Sequence, residues 1–201
     1  MTYPQFFNNI PTIKLKDDLA YFLGAFEDGI IEYSYLDVVK SAGHSCPTVL
    51  GAYLMTLQSL KALYENEIPK RGNILVEFKE SQTDGVAGVI GSVITNITGS
   101  TTTNGFKGLA GKHDRNHLMQ FEKDISGANV RFTRLDTQKS VDVIYNPSSV
   151  LPHPNMNNLM QKCIQGSANI EEQKEFGKLW QQRVEDISNS IDRVIKINIK
   201  E

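Results

Sequence analysis

The stretch that decides the fold runs from Pro47 to Tyr64 and reads PTVLGAYLMTLQSLKALY. Its apolar residues recur at helical spacing, at Val49, Leu50, Tyr53, Leu54, Leu57, Leu60 and Leu63. Proline suits the first position of a helix, because its missing N–H would have no partner there in any case. The pattern predicts a long helix that begins at Pro47 and ends near Tyr64.

The segments on either side alternate between helix and strand patterns. Before the long helix, the predicted elements are strands at 12–15 and 30–33 and helices at 17–26 and 35–41. After it, they are a strand at 73–79, a helix at 84–95, a long loop at 98–111, three antiparallel strands at 118–125, 130–136 and 140–145, helices at 155–165 and 170–188, and a strand at 194–199. Gly85, Gly88 and Gly91, spaced three apart, predict a helix face that another backbone can approach closely.

Length and charge limit the function classes. A chain of 201 residues is predicted to form one domain, or one domain with a small appendage. The net charge of −2 and the absence of a basic stripe with interleaved aromatic residues exclude nucleic acid as the expected partner. No apolar run approaches the roughly 20 residues that a membrane span needs, so no membrane partner is expected either.

Cysteine usage and the N-terminal segment indicate the compartment. The polar and aromatic segment 1–9 does not resemble a signal peptide. The two cysteines, Cys46 and Cys163, lie in different settings and do not suggest an exported disulfide framework. A reducing cytoplasm, in which both thiols stay free, is the predicted location.

The segment Gly43-His44-Ser45-Cys46-Pro47 carries the clearest chemical signal. If Pro47 is the first helical residue, Cys46 is the N-cap, and its sulfur faces unpaired N–H groups and the positive end of the helix dipole. That setting favours the thiolate, which is both a nucleophile and a metal ligand. In an extended segment, His44 points to the same side as Cys46, so both can reach one ion. The alternative is a cysteine that only packs at a helix start, beside a histidine bonded to the backbone.

Zinc is the predicted metal because it accepts mixed sulfur and nitrogen ligands, with iron or nickel as alternatives. Asp84 and His113 are the candidates for further ligands. Asp84 also fits a plain helix N-cap. His113 and His117 have the i, i+4 spacing of a ligand pair on a helix, but their segment also fits a solvated turn. Both interpretations stay open for each residue.

The loop 98–108 is rich in threonine, serine and glycine. Its backbone N–H groups can cradle a small anion, with Lys107 or Lys112 adding positive charge and Thr101 and Asn104 as further ligand-binding candidates. It is not a P-loop, because the Gly-Lys-Ser/Thr ending is missing. A flexible polar loop is the alternative.

These residues together resemble the FmdE-like family, which takes its name from formylmethanofuran dehydrogenase. The resemblance is carried by Gly43 to Pro47 with Gly51 and the apolar helix, and it spans roughly residues 15–145. Further similar segments are 80–86, 98–101, Gly111-Lys112, 129–132 and the tail at 170–172. Two serines, Ser81 and Ser100, stand where many members have cysteine, and the C-terminal zinc ribbon of some members is missing.

The resemblance implies an α+β fold of the type shared with the catalytic domain of glyceraldehyde-3-phosphate dehydrogenase, with a mixed β-sheet packed with helices. It implies an FmdE-like domain at 1–146 and a C-terminal helical extension at 147–201 packed on the same domain. It also implies a homodimer and a metal at the His44-x-Cys46 motif. Because two sulfur positions are lost, we expect an open metal shell completed by water or a small ligand.

Three functions follow as hypotheses. The first is a metal-binding protein, either accessory to a metalloenzyme pathway or itself a small enzyme in which Cys46 or a metal-bound water reacts and Asp84 or His113 carries protons. The second is a metal-independent thiol enzyme with Cys46 as the nucleophile and His44 as its base. The third is a dimeric module that binds a small anionic molecule through the threonine-rich loop.

Overall fold

The computed structural model describes residues 2–200. The strands are β1 (Ile13–Lys16), β2 (Ile30–Tyr33), β3 (Ile74–Phe78), β4 (Lys107–Leu109), β5 (Lys112–Asp114), β6 (Met119–Gln120), β7 (Val130–Arg134), β8 (Ser140–Tyr145) and β9 (Ile195–Lys200). The α-helices are α1 (Asp18–Phe22), α2 (Tyr35–Ala42), α3 (Pro47–Tyr64), α4 (Ala87–Thr98), α5 (Met156–Ile164), α6 (Ile170–Ser188) and α7 (Ile191–Val194). Short 3₁₀ helices cover Gln5–Asn9 and Pro147–Ser149.

The main sheet has five strands in the order β6-β3-β7-β8-β9. Strand β6 pairs with β3 in parallel, and the other three pairings are antiparallel, so the sheet is mixed. β1 with β2 and β4 with β5 form two further two-stranded antiparallel sheets, and β4 with β5 is a hairpin. The α+β class with a mixed sheet and packed helices is therefore confirmed.

Helix α3 has the predicted bounds and forms the centre of the core. Thirteen of its 18 residues are buried, because it packs against α4 and against strands β8 and β9. A helix that is apolar on nearly all sides needs neighbours on nearly all sides. Its interior includes fully buried Leu50, Tyr53, Leu54 and Met55.

Two predicted boundaries were wrong because glycine ends or delays a helix. Helix α1 stops at Phe22 rather than 26, since Gly24 has φ +70° and the N–H groups of Gly24 and Ala25 bond back to Tyr21 and Ala20 in a Schellman pattern. The apolar side chains at its end are exposed, with Phe22 66% exposed. Helix α4 begins at Ala87 rather than Asp84, because Gly85 adopts φ +51° in the preceding turn.

The segments 98–111 and 118–125 also differ from prediction. The predicted long loop contains β4 and leads directly into β5, so that part of it is a hairpin. The predicted antiparallel strand 118–125 is reduced to β6, which runs parallel to β3. Glu122, at φ +57°, leaves the extended conformation and ends any continuation of β6.

The glycines of α4 serve packing. A Cβ on Gly88 would lie 2.8 Å from the backbone oxygen of Gln82, and one on Gly91 would lie 3.2 Å from the ring of Phe121. The close backbone approach predicted for this face is thus found at Gly88. Gly85 lies before the helix and has open space around it.

The segment after 146 contributes to the same sheet and core. Helix α6 starts with a capping box between Asn169 and Glu172 and packs on α3, while β9 forms an edge of the main sheet beside β8. Within residues 2–200, no helix combines the length and the apolar character that a membrane crossing requires.

We expect two helical glycines to respond in opposite directions to alanine. Gly51→Ala should lower the free energy of unfolding by about 1–3 kcal/mol, because its Cβ would overlap the ring of Tyr145. Gly177→Ala in α6 should raise it by about 0.5–1 kcal/mol, since nothing lies within 4 Å of the added Cβ and alanine is the better helix former. Urea denaturation of both variants measures this, and equal effects would contradict the packing at Gly51.

Candidate functional site

The turn between α2 and α3 presents the motif as the sequence predicts. Gly43 ends α2 with φ +76°, and its N–H donates to Val39 O at 2.9 Å. Cys46 is the N-cap of α3, and its half-buried Sγ accepts the Val49 N–H at 3.4 Å. Pro47 occupies the first helical position. The sulfur therefore lies at the N-terminal end of the longest buried helix of the described chain.

His44 is exposed beside it and already oriented by the backbone. Its Nδ1 lies 3.0 Å from the carbonyl oxygen of Ala42. A carbonyl can only accept, so Nδ1 is the donor of this bond and Nε2 takes no part in it. Within residues 2–200, no hydrogen bond joins His44 to Cys46. The base–nucleophile pair of a thiol enzyme is thus not preassembled.

Three elements hold the turn in place. The carbonyl oxygen of Ser45 accepts from Trp180 Nε1 at 3.0 Å and from Gln181 Nε2 at 3.1 Å, both on α6. The Ser45 Oγ lies 2.9 Å from the hydroxyl of Tyr35, and Tyr145 donates to Pro47 O at 2.7 Å. Side chains from α2, β8 and α6 therefore converge on the turn. Sequence reasoning missed Gln181, which is remote in the chain and carries no motif.

The two tyrosines act as neutral groups. Burial raises the pKa of Tyr35 and of Tyr145 well above the ordinary value, and a negative charge on the nearby Cys46 would raise both further. The hydrogen bond to Ser45 opposes the rise in the pKa of Tyr35 only in part. Neither phenol therefore supplies a negative charge beside the sulfur, and Tyr145 stays a hydrogen-bond donor.

The other predicted metal ligands lie in different surroundings. Asp84 is exposed, and its Oδ2 accepts the Ser81 N–H at 3.4 Å in the turn before α4. His113 lies on β5 with its ring stacked on Phe22, the centroids 6.0 Å apart. Among residues 2–200, no three His, Cys, Asp or Glu side chains form a group that could hold a metal ion. The described chain thus gathers at most two of the four predicted ligands.

The predicted anion-binding residues separate as well. Thr101 borders a cavity of about 450 Å³ together with Arg71 and Arg115, whereas Asn104 borders another of about 210 Å³ beside α4. Lys107 and Lys112 are exposed on the β4–β5 hairpin. The cationic groups next to the threonine-rich loop are therefore arginines from outside it.

The two serines at cysteine positions of the resembling family have structural roles here. Ser100 is fully buried, and its Oγ donates to Ile74 O at 2.7 Å. Ser81 lies in the turn before α4, where its Oγ accepts the Thr83 N–H at 3.4 Å. Hydrogen bonding accounts for both hydroxyls.

Comparison with known protein families gives a match over most of the chain. The family model described as "FmdE, Molybdenum formylmethanofuran dehydrogenase operon" matches residues 42–196. That range is more than half of the chain and includes the turn, α3 and the covering helix α6. No curated protein matches the chain significantly.

Proposed function

Because the chain belongs to the FmdE family, we propose that it is an accessory protein in a formylmethanofuran dehydrogenase context that holds one metal ion at His44 and Cys46. The family assignment supports the pathway context, since the description of the family names that operon. The observation that carries the metal proposal is the turn itself. It presents an imidazole, whose Nε2 takes no part in the bond to Ala42, and a thiol in neighbouring positions.

The chemistry of these two donors fits a metal such as zinc. Histidine ligands almost always donate their second ring N–H to a carbonyl or carboxylate, as His44 does to Ala42. The Val49 N–H aimed at the Cys46 sulfur stabilises a thiolate. Zinc accepts this nitrogen and sulfur pair, and iron or nickel are the alternatives.

The two donors His44 and Cys46 leave the coordination shell of the metal incomplete. Asp84 and His113 lie elsewhere, so water, a small ligand or a second copy of the chain would complete the shell. When bound, such a metal supplies a Lewis acid. The chain's own contribution is to hold His44 and Cys46 on one turn and to keep Tyr145 as a neutral neighbour.

Two implications of the family resemblance stay predictions. One is the homodimer, which would bring two copies of the turn into one assembly. The other is the likeness of the fold to the catalytic domain of glyceraldehyde-3-phosphate dehydrogenase. If the protein is itself an enzyme, its substrate would bind at the open coordination position of the metal.

Metal content is the direct test. We expect untagged wild-type protein to carry about one metal ion per chain by mass spectrometry, and His44→Ala and Cys46→Ser to lose most of it, because each removes one of only two protein ligands. Cobalt-loaded wild type should also show a thiolate-to-metal absorption band that is absent from Cys46→Ser.

The chain offers matched controls in the same residue types. His153→Ala and Cys163→Ser remove a histidine and a cysteine outside the turn, and both should keep the metal of the wild type. A wild type that is purified without metal and whose Cys46 alkylates rapidly at neutral pH would refute the proposal in favour of a thiol enzyme. Equal metal loss in the control variants would refute the assignment to the turn.

A further inference from the structure

A cavity of about 450 Å³ lies beside the end of α2, and two arginines dominate its charge. Arg71 and Arg115 border it together with Asn96 and the apolar side chains of Leu19, Tyr33 and Phe106. Within the described chain, no aspartate or glutamate lines this cavity. Its wall therefore combines positive charge with apolar surface.

The two arginines share a single buried carboxylate. Arg115 Nη2 lies 2.7 Å from Asp17 Oδ1, and Arg71 Nη1 lies 2.9 Å from Asp17 Oδ2. The side chain of Arg115 is only 6% exposed and that of Asp17 only 3%. Two guanidinium groups share this one ion-paired carboxylate, and the other carboxylates near them, Asp18, Asp114 and Asp136, line a different cavity.

Arg115 is also short of acceptors. A guanidinium has five N–H donors, yet the one hydrogen bond from this side chain in residues 2–200 goes to Asp17. Its Nε is buried without a partner. Arg71, by contrast, also donates to the carbonyl oxygens of Ile97 and Asn96. A buried donor without an acceptor is costly, and Nε keeps no accessible surface for a ligand to reach. Nη1 also makes no hydrogen bond within residues 2–200, but it is not fully buried, so it is the donor that an anion in the cavity can reach.

The positive charges of Arg71 and Arg115 lie close together. Burial lowers the pKa of Arg115 and the adjacent charge of Arg71 lowers it further, while the charges of Asp17 and Asp18 oppose both effects. Both guanidinium groups lie close to the same glycine. A Cβ on Gly99 would lie 3.1 Å from Arg71 Nη1 and 3.4 Å from Arg115 Nη1. Two like charges held this close favour a counter-ion.

We propose that this cavity binds a small organic anion, whose carboxylate or phosphate group pairs with Arg115 and Arg71 while its body packs against Leu19, Tyr33 and Phe106. A volume of about 450 Å³ is in the range of small-molecule sites and exceeds what a bare oxyanion fills. The arginines border a second cavity of about 340 Å³, but Asp18, Asp114 and Asp136 line that one and repel an anion. Neither His44 nor Cys46 lines this cavity.

Titration calorimetry with three probes tests the site. Benzoate and phenyl phosphate present the two kinds of anionic group on an apolar ring, and benzamide is the neutral analogue of benzoate. We expect saturable binding of at least one of the two anions, with one site per chain, and none of benzamide. Which anion binds more tightly distinguishes a carboxylate ligand from a phosphate ligand.

A charge-changing variant locates the binding. Asn96→Asp adds a carboxylate at the cavity wall and keeps the main-chain carbonyl to which Arg71 donates, and it should weaken anion binding by at least about tenfold through like-charge repulsion. Asn157→Asp makes the same change at an exposed position of α5 and should bind like the wild type. Circular dichroism confirms that both variants are folded.

Several results would overturn the proposal. They are the absence of binding by both anions, equal binding of benzamide, unchanged binding in Asn96→Asp, or an equal loss in Asn157→Asp. If inorganic phosphate bound as tightly as phenyl phosphate, the proposed packing of an organic body against the apolar side chains would be refuted.

Discussion

Asp17→Asn should lower the free energy of unfolding by about 3–5 kcal/mol, the loss expected when one member of a buried ion pair is removed. Asp17 is the only carboxylate paired with Arg71 and Arg115 in the described chain. Without it, two guanidinium groups face each other in a largely buried place. Asparagine is as good an N-cap as aspartate, so the bonds to the N–H groups of Leu19 and Ala20 can persist. The loss of unfolding free energy then measures the effect of removing the negative charge of Asp17.

The measurement is urea denaturation of Asp17→Asn against the wild type at neutral pH. Glu65→Gln provides the control, because it also removes one carboxylate from an ion pair, with Lys139, but at an exposed position. Exposed pairs contribute little, so its midpoint should match the wild type. If Asp17→Asn proved as stable as Glu65→Gln, the shared ion pair would not stabilise the fold.

The same carboxylate predicts an acid dependence of stability. Burial alone raises the pKa of Asp17, but the hydrogen bond from Arg71 and the charge of Arg115 outweigh it and hold the pKa below the ordinary value of 3.8. The unfolded chain therefore takes up the proton first as the pH falls. The contribution of Asp17 is fully present above about pH 5 and is lost as the pH falls through the lowered pKa. The stability gap between wild type and Asp17→Asn should narrow over that acid range.

Gly72→Ala should cost about 3–5 kcal/mol, because the space that its missing side chain leaves is filled by Arg115. A Cβ at this position would overlap the Arg115 guanidinium, and Gly72 has φ +79°, a conformation that alanine adopts only with strain. The displaced arginine would lose its place beside Asp17. We therefore expect Gly72→Ala also to abolish the binding of the anions proposed above.

Gly111→Ala separates the cost of backbone strain from the cost of displacing Arg115. Gly111 has nearly the same φ, at +77°, but nothing lies within 4 Å of its added Cβ. It should cost only the strain of the backbone, about 1 kcal/mol. Urea denaturation of both variants measures the difference, which is the cost of moving Arg115. Equal losses would mean that Arg115 relocates freely.

The local pattern was sufficient for α3 and for the turn before it. The bounds Pro47–Tyr64 and the N-cap at Cys46 were predicted and found, because apolar spacing and the position of proline are read within a few residues. The family assignment was confirmed as well, by a match over residues 42–196. The metal itself and the roles of His44 and Cys46 stay predictions.

The local sequence pattern was not sufficient where the structure depends on residues that are distant in the chain. Leu118 to Ile125 has a strand composition, but its pairing partner and direction are set by β3, some 40 residues earlier. The apolar residues of the predicted helix 17–26 do not join the core, since Phe22 and Leu23 are exposed and the ring of Phe22 stacks on that of His113. Asp84 and His113 were possible ligands by type, but the fold places them in a turn and on a hairpin.

The sequence by itself determined the α+β family, the central helix and the chemical identity of the turn, the last two because each is encoded in adjacent residues. Only the tertiary structure decided where positive charge collects. Lys107 and Lys112 looked like the cations of an anion site, yet the charge that faces the cavity belongs to Arg71 and Arg115. Arg115 meets Asp17 across 98 residues of chain, and such a contact depends on packing rather than on spacing.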